Sequence, residues 1–135
     1  MLGWWRLLRI FKTRWFTRFA RGERIADESL SQAVVRAGQG LVDADLGGGV
    51  IKQRVARPGG GRSGGYRVLI AYRAKHRAVF LYGFAKRERE NIEPDELVTL
   101  REIAAKWLAA DTKRIAQAVN EGVLQEVAND EKEET

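Results

Sequence analysis

Hydrophobic and polar positions along the chain follow two periods, which predict a mixture of strands and helices. The stretches "GYRVLIAY" and "AVFLYGFAK" are rich in β-branched and aromatic residues and flank the polar segment "RAKHR", a pattern typical of a β-hairpin. "IFKTRWFTRFA" predicts a short strand that runs into a helix. "GVIKQRVA" predicts another strand between glycine-rich turns, and "VLQEV" predicts a last one.

Three further segments carry apolar residues at helical spacing. "IADESLSQAVVRAGQG" predicts a helix with Asp27 as N-cap that ends at Gly38 or Gly40. "EPDELVTLREIAAKWLAA" predicts a longer helix with Pro94 at its first position. "TKRIAQAVNE" predicts a short helix capped by Asp111.

The hairpin register decides which side chains meet. We take Lys75 and His76 as the two turn residues, so that His76 has a structural role. One face then carries Arg67, Leu69, Ala71, Arg73, Phe80, Tyr82, Phe84 and Lys86. The other face carries Tyr66, Val68, Ile70, Tyr72, Val79, Leu81, Gly83 and Ala85. This register predicts that a guanidinium, an ammonium and aromatic rings converge at one end of the sheet.

Length and composition indicate a single globular domain. We expect a domain over residues 10–127, a loose N-terminal extension over residues 1–9 and a disordered acidic tail over residues 128–135 of the 135-residue chain. Cysteine is absent and histidine occurs once, which excludes disulfides and argues against His-centred triads. The opening basic, aromatic stretch lacks a long apolar core, so we expect no membrane span and a cytoplasmic location.

Positive charge is concentrated in the middle of the chain. The net charge is +6, and residues 50–89 contain eleven Lys or Arg but one acid, Glu88. Residues 90–135 reverse this, with five basic and twelve acidic residues. Because the basic residues coincide with the predicted sheet, we expect one face to bind a polyanion.

This basic region contains one carboxylate and one histidine. These are too few ligands to hold a metal ion that would cleave a phosphodiester bond. RNA carries its own nucleophile, the ribose 2′-OH, so a protein needs only to orient it, stabilise phosphate charge and transfer two protons. Arginines suit phosphate geometry, a lysine among cations suits proton transfer, and Tyr82 and Phe84 suit stacking of unpaired bases.

The stretches "RSGGYRVLIAYR", "RAVFLYGFAKRERENI" and "ELVTLREIAAKWL", in this order, resemble the RelE/ParE superfamily of bacterial type II toxins, and most of all its HigB-type branch. The resemblance covers residues 10–127 and implies an α+β fold, a small antiparallel sheet packed by helices, similar to microbial ribonucleases. It also implies an endoribonuclease, an mRNA interferase that cuts mRNA on the ribosome without metal or cofactor and inhibits translation. The implied partners are mRNA, the ribosome and a cognate helix-turn-helix antitoxin of the HigA type.

The resemblance also implies roles for individual residues. The catalytic candidates are Arg67 of "GYR", the upstream Arg62, and the basic pair Lys86 and Arg87. Arg67 and Arg87 are expected to stabilise the phosphate and transition state, and Lys86 to transfer a proton or contact phosphate. The expected RNA-binding residues are Lys52, Arg54, Arg57, Tyr82, Phe84 and Arg89.

The chain departs from RelE at three positions. Pro58 and Gly60 stand where RelE has two lysines ahead of the loop arginine, and Glu93 stands where RelE has a tyrosine. Lys52, Arg54 and Arg57 are candidates to substitute for the missing lysines.

Two alternatives belong to other functional classes. A ParE-like, non-enzymatic inhibitor of DNA gyrase would use the same scaffold, but it has no need to gather basic residues at one site. A plain nucleic-acid-binding module would also account for the positive charge of the chain. Single arginine changes would then weaken binding to all nucleic-acid sequences alike.

Overall fold

A computed structural model describes residues 8–57, 59 and 64–128. This part of the chain forms six strands and four helices. Their bounds, in chain order, are β1 (Arg9–Thr13), α1 (Arg14–Glu23), α2 (Asp27–Gly38), β2 (Ala44–Asp45), β3 (Val50–Val55), β4 (Tyr66–Arg73), β5 (Arg77–Ala85), α3 (Pro94–Ala109), α4 (Thr112–Asn120) and β6 (Leu124–Glu126).

The six strands form one sheet in the order β2-β3-β4-β5-β1-β6. Only the β1–β5 pair is parallel, and the other neighbouring pairs in the described sheet are antiparallel. The predicted α+β fold, with a small antiparallel sheet packed by helices, is therefore confirmed. Among the described residues no helix is long and apolar enough to span a membrane.

Helices cover both faces of the sheet, so β4 is buried on both sides over most of its length. Val68 and Ile70 pack in a core with Phe16 of α1 and Leu30 of α2. On the opposite face, Leu69 and Ala71 pack with residues of α3 and α4, among them Leu100, Trp107 and Ile115. The alternation of side chains along β4 thus divides the core into two layers.

The N-terminal boundary lies earlier than the expected start at Ile10. Leu8 is buried in the core, and Arg9 begins β1, where it pairs with Arg77 of β5. Nε and Nη2 of Arg9 also donate to the two carboxylate oxygens of Glu126, at 2.8 and 2.9 Å. These contacts correct the expected extension at residues 8 and 9, whereas residues 1–7 lie outside the described part. So do residues 129–135 of the expected tail.

The predicted starts of two helices match the structure, and that of a third does not. Pro94 is the first residue of α3, and Asp111 caps α4 by accepting from the N–H of Arg114 at 2.8 Å. Asp27 is not the N-cap of α2, because Ala26 holds that position and makes no side-chain bond. The Asp27 carboxylate instead accepts from Nζ of Lys12 at 2.8 Å.

The hairpin differs from the expected register only near its turn. Arg73 pairs with Arg77, so the loop has three residues, with Lys75 at a left-handed φ of 62°, and not two. A bulge then skips Leu81 between the Ile70–Phe80 and Leu69–Tyr82 pairs. The expected faces of residues 79–81 are therefore wrong. The bulge offsets the longer loop, so the predicted pairs from Leu69–Tyr82 to Tyr66–Ala85 are confirmed.

Candidate functional site

Arg67 is a buried arginine on the central strand of the sheet. It lies between Arg54 of β3 and Phe84 of β5 in the strand register, and only 6% of its surface is exposed. Its Nη1 makes one long hydrogen bond, 3.4 Å, to the carbonyl oxygen of Tyr66. Within the described part of the chain, no carboxylate pairs with it. Because a buried cation is costly without a counter-charge, this guanidinium is suited to receive an anion.

The close approach of two strands brings Arg67 to this place. Gly65 precedes β4, and a β-carbon at this position would lie 2.3 Å from the carbonyl oxygen of Val55. Only glycine allows the start of β4 to pass so near the end of β3. Gly65 also accepts from the N–H of Lys86 at 2.9 Å, which extends the ladder beyond β5. The close approach of β3 and β4 thus explains why the "GYR" motif begins with glycine.

Two adjacent rows of side chains form the site on the α3 face of the sheet. The first row runs across the strands from Arg54 through Arg67 to Phe84. The second row lies two residues along each strand and runs from Lys52 through Leu69 to Tyr82. The structure therefore brings together Arg67 and four of the six predicted RNA-binding residues. We call these five residues, Lys52, Arg54, Arg67, Tyr82 and Phe84, the hairpin site.

Polar partners already hold the two cations on β3. Nε of Arg54 lies 3.1 Å from an oxygen of Asp43, and Nζ of Lys52 donates to Oδ1 of Asn91 at 3.2 Å. The Arg54 side chain is about half exposed, so its ion pair is weak and screened by salt. Both cations are thus available at the rim of the hairpin site, while Arg67 forms its buried centre.

Arg89 is bound within the protein and does not point freely to solvent. Its Nη1 and Nη2 donate to the two carboxylate oxygens of Glu96, at 3.2 and 2.6 Å, and Nη1 also donates to the hydroxyl of Tyr82 at 3.3 Å. The guanidinium lies 5.4 Å from the centre of the Phe84 ring. The hydrogen bonds to Glu96 raise the pKa of Arg89 and lower the pKa of Glu96. Arg89 therefore positions two aromatic rings of the hairpin site.

The remaining predicted cations lie around the end of the hairpin. Lys86 is half-buried and directly follows β5, while Arg87 and Arg57 are exposed. Burial raises the pKa of Tyr66, a hydrogen bond to Glu23 raises it further, and the charges of Arg57 and Arg87 oppose both effects. Those two guanidinium groups therefore lie within electrostatic reach of Tyr66, whose ring packs on the α1 face. Arg62 lies outside the described residues.

Sequence patterns gave no indication of several contacts at the site. Glu96 lies in the first turn of α3, and no sequence pattern marks it as the partner of Arg89. The hydrogen bond from the Tyr66 hydroxyl to Glu23, 2.8 Å long, joins residues distant in sequence. Trp15 of α1 stacks against Tyr82, with ring centres 4.6 Å apart. Only the three-dimensional fold reveals these pairs.

His76 lies at the other end of the hairpin from Arg67. It occupies the loop between β4 and β5, where Nε2 is 3.3 Å from the carbonyl oxygen of Leu108. Among the described residues, no group of three or more His, Asp or Glu side chains is placed to hold a metal ion. The side chains of the hairpin site are suited to bind anions through guanidinium and ammonium groups and to stack planar rings on aromatic rings.

Comparison with known proteins gives one match. The family model described as "RelE toxin of RelE / RelB toxin-antitoxin system" matches residues 8–127 of the chain. This range contains every described strand and helix, and it begins at the buried Leu8. Searches of curated proteins and of solved structures return no match.

Proposed function

The chain belongs to the RelE family of toxins from toxin–antitoxin systems, and from this premise we propose that it is a metal-independent, ribosome-dependent endoribonuclease. In this proposal it cleaves mRNA on the ribosome and so inhibits translation. The observation that supports it is Arg67, a buried guanidinium with no carboxylate partner in the described part of the chain. A scissile phosphate would supply the missing negative charge.

The proposed reaction uses the RNA itself as nucleophile. The 2′-oxygen attacks the adjacent phosphorus, the bond from phosphorus to the 5′-oxygen breaks, and a 2′,3′-cyclic phosphate and a 5′-hydroxyl result. The proton of the 2′-OH must leave, and the departing 5′-oxygen must gain one. Arg67 stabilises the charge that gathers on the phosphate oxygens, because preformed donors act most strongly where water is excluded.

Three further residues are proposed to take part in catalysis. Lys86 contacts the phosphate or transfers a proton, since its backbone continues the ladder next to Gly65. Arg87, which follows β5, adds positive charge at this end of the hairpin, and Arg62 keeps its proposed catalytic role although it lies outside the described residues. Lys52, Arg54 and Arg57 are proposed to bind neighbouring phosphates. Tyr82 and Phe84 are proposed to stack unpaired bases. Arg89 is proposed to be part of the same RNA-binding surface.

The proposed physiological partner is a cognate antitoxin. We assign the chain to the HigB-type branch, and its antitoxin to a helix-turn-helix protein of the HigA type. An acidic antitoxin segment that covers the hairpin site would neutralise Lys52 and Arg54 at its rim and would block access of RNA to Arg67.

The test is cleavage of mRNA bound to purified ribosomes, with mapping of the cut positions. We expect cuts within the translated region for the wild-type chain and none for Arg67→Ala. Arg73→Ala is the matched control, since Arg73 is an exposed arginine on the same strand. Equal cleavage by Arg67→Ala would remove Arg67 from the site. Expression of the chain in bacteria gives a second readout. Growth arrest without any mRNA cuts, but with blocked DNA supercoiling, would overturn the proposed nuclease activity in favour of gyrase inhibition.

A further inference from the structure

Trp15 is an exposed tryptophan beside the hairpin site. It is 40% exposed, and the other exposed large hydrophobic residues of the described chain, Leu41 and Val98, are aliphatic. A tryptophan ring contributes a large apolar area when buried, so partial exposure leaves much of that stabilisation unused. Its place next to a basic, aromatic site therefore raises the question of what covers it.

The position of Trp15 follows from the way α1 packs on the sheet. The parallel pairing of β1 with β5 ends at Lys12 and Phe80, and α1 begins directly after β1. Phe19 of α1 packs over Gly83, where a β-carbon would lie 2.6 Å from its ring. Trp15 lies one helical turn before Phe19 and stacks on it, with ring centres 5.4 Å apart and 15° between planes.

The same ring reaches around the edge of β5 to the hairpin site. Its centre is 4.6 Å from that of Tyr82, at an interplanar angle of 31°. Tyr82 in turn lies 6.4 Å from Phe84, which is opposite Arg67 in the strand register. Trp15, Tyr82 and Phe84 thus form a series of rings that runs from the solvent-exposed edge to the buried guanidinium.

The charges around Trp15 suit an anionic ligand. Arg18 lies three positions after it on α1 and is exposed, whereas Nε of Arg14 donates to the carbonyl oxygen of Gly122 at 3.3 Å. The first turn of α1 contains no acidic residue. A ligand that combines a planar apolar ring with a phosphate would find both complements here.

We propose that Trp15 is a positioning residue, which stacks an unpaired RNA base while the neighbouring phosphate lies at Arg67. This inference rests on the proposed ribonuclease function and extends its site from the hairpin to α1. Stacking on Trp15 fixes the strand relative to Arg67 and thereby helps to select which phosphodiester bond is cleaved.

The first test is tryptophan fluorescence during titration of the full chain. The probe is a short single-stranded RNA with 2′-O-methyl riboses, which cannot be cleaved because its nucleophile is blocked. We expect the RNA to quench the wild-type chain and to quench Trp15→Phe much less, since the other tryptophans remain in both. Trp15→Leu should bind the RNA about tenfold more weakly, and Trp15→Phe should retain most of the affinity. Equal quenching in both chains, or unchanged affinity of Trp15→Leu, would overturn the inference.

The second test separates this inference from the proposed function. On programmed ribosomes, Trp15→Leu should raise KM and change the distribution of cut positions, while Val98→Ala should do neither. If the wild-type chain cleaves and Trp15→Leu has the same KM and cut positions, the inference fails and the function stands. If the wild-type chain does not cleave, the proposed function fails, and the titration alone decides whether Trp15 stacks a base.

Discussion

Arg67 and Arg77 are buried to nearly the same extent, with 6% and 7% of their surfaces exposed, but their hydrogen bonds differ. Nη1 of Arg77 donates to the carbonyl oxygens of Trp107 and Ala110, at 2.7 and 2.8 Å. Burial lowers the pKa of Arg77, yet the end of α3 supplies two strong acceptors. Within the described residues, the side chain of Arg67 makes one long hydrogen bond, to the Tyr66 carbonyl oxygen. Arg77 is therefore satisfied within the fold, whereas the guanidinium of Arg67 fits the proposed role of binding a phosphate.

This contrast predicts opposite effects of removing the two side chains. Arg67→Ala should reduce kcat/KM for mRNA cleavage by about 100-fold or more, because one preorganised donor to the transition state is lost. Its unfolding midpoint should stay the same or rise, since an uncompensated buried charge disappears. Arg77→Met should lower the free energy of unfolding by about 1–3 kcal/mol for each carbonyl left unpaired.

Urea unfolding monitored by circular dichroism, together with cleavage rates, would check both changes. The matched control is Arg73→Met, because Arg73 is an exposed arginine on β4 that makes no side-chain hydrogen bond or ion pair with another described residue. A large loss of stability in Arg67→Ala would contradict the assignment of Arg67 to a ligand.

Much of this arrangement could be predicted from the sequence, because the hairpin strands have a strong β pattern. The pairing of Arg67 with Phe84 was predicted correctly even though the turn was not. Neither the three-residue loop around Lys75 nor the bulge at Leu81 contains a glycine or proline to mark it. The two irregularities shift the register in opposite senses, so their effects cancel at the end of the hairpin that carries Arg67.

Contacts between distant segments could not be predicted in the same way. Trp15 meets Tyr82 because α1 passes the edge of β5, and the hydroxyl of Tyr66 on β4 meets Glu23 at the end of α1. Hydrophobic periodicity defines each element, but it does not say which side chains of two elements will touch. Asp27 shows the same limit, since its partner Lys12 lies on another element.

The cations on β3 predict a specific salt dependence of RNA binding. Lys52→Ala should reduce the slope of log K against log salt concentration by about 0.7 for single-stranded RNA, because one fewer counterion is released. The affinity should fall for all RNA sequences alike. Fluorescence anisotropy at several salt concentrations would measure the slope. Lys113→Ala on α4 is the control, and an equal change there would show that Lys52 makes no distinct phosphate contact.

The hydrogen-bonded carboxylates of Glu96 and Glu126 should make the folded chain less stable in acid. Hydrogen bonds from Arg89 lower the pKa of Glu96, and hydrogen bonds from Arg9 lower the pKa of Glu126. A carboxyl whose pKa is lower in the folded than in the unfolded chain contributes stability above its unfolded pKa, about 4.3 for Glu. That contribution is lost as the pH falls through the lower, folded pKa.

The free energy of unfolding should therefore decrease as the pH falls below about 5, and this decrease should be smaller in Glu96→Gln and Glu126→Gln. Urea unfolding at a series of pH values would show it. Glu102→Gln is a suitable control, because Glu102 is exposed on α3 and has no ion pair within the described residues. Parallel pH profiles for all three variants would refute the role of these ion pairs.

Substitution of Gly83 should change both the stability of the fold and the position of Trp15. In Gly83→Ala the new β-carbon would lie 2.6 Å from Phe19 and 3.2 Å from Phe16, so the Phe19 ring must move. Overpacking of this kind costs about 1–3 kcal/mol of unfolding free energy.

Because Trp15 stacks on Phe19, the fluorescence emission of Trp15 in Gly83→Ala should also shift, and RNA should quench it less than in the wild-type chain. Gly22→Ala is the matched control, since its added β-carbon would meet no described atom within 4 Å beyond its chain neighbours and its own helix backbone, and alanine favours α1 by up to about 1 kcal/mol. If Gly83→Ala keeps both its stability and its quenching, Phe19 does not position Trp15.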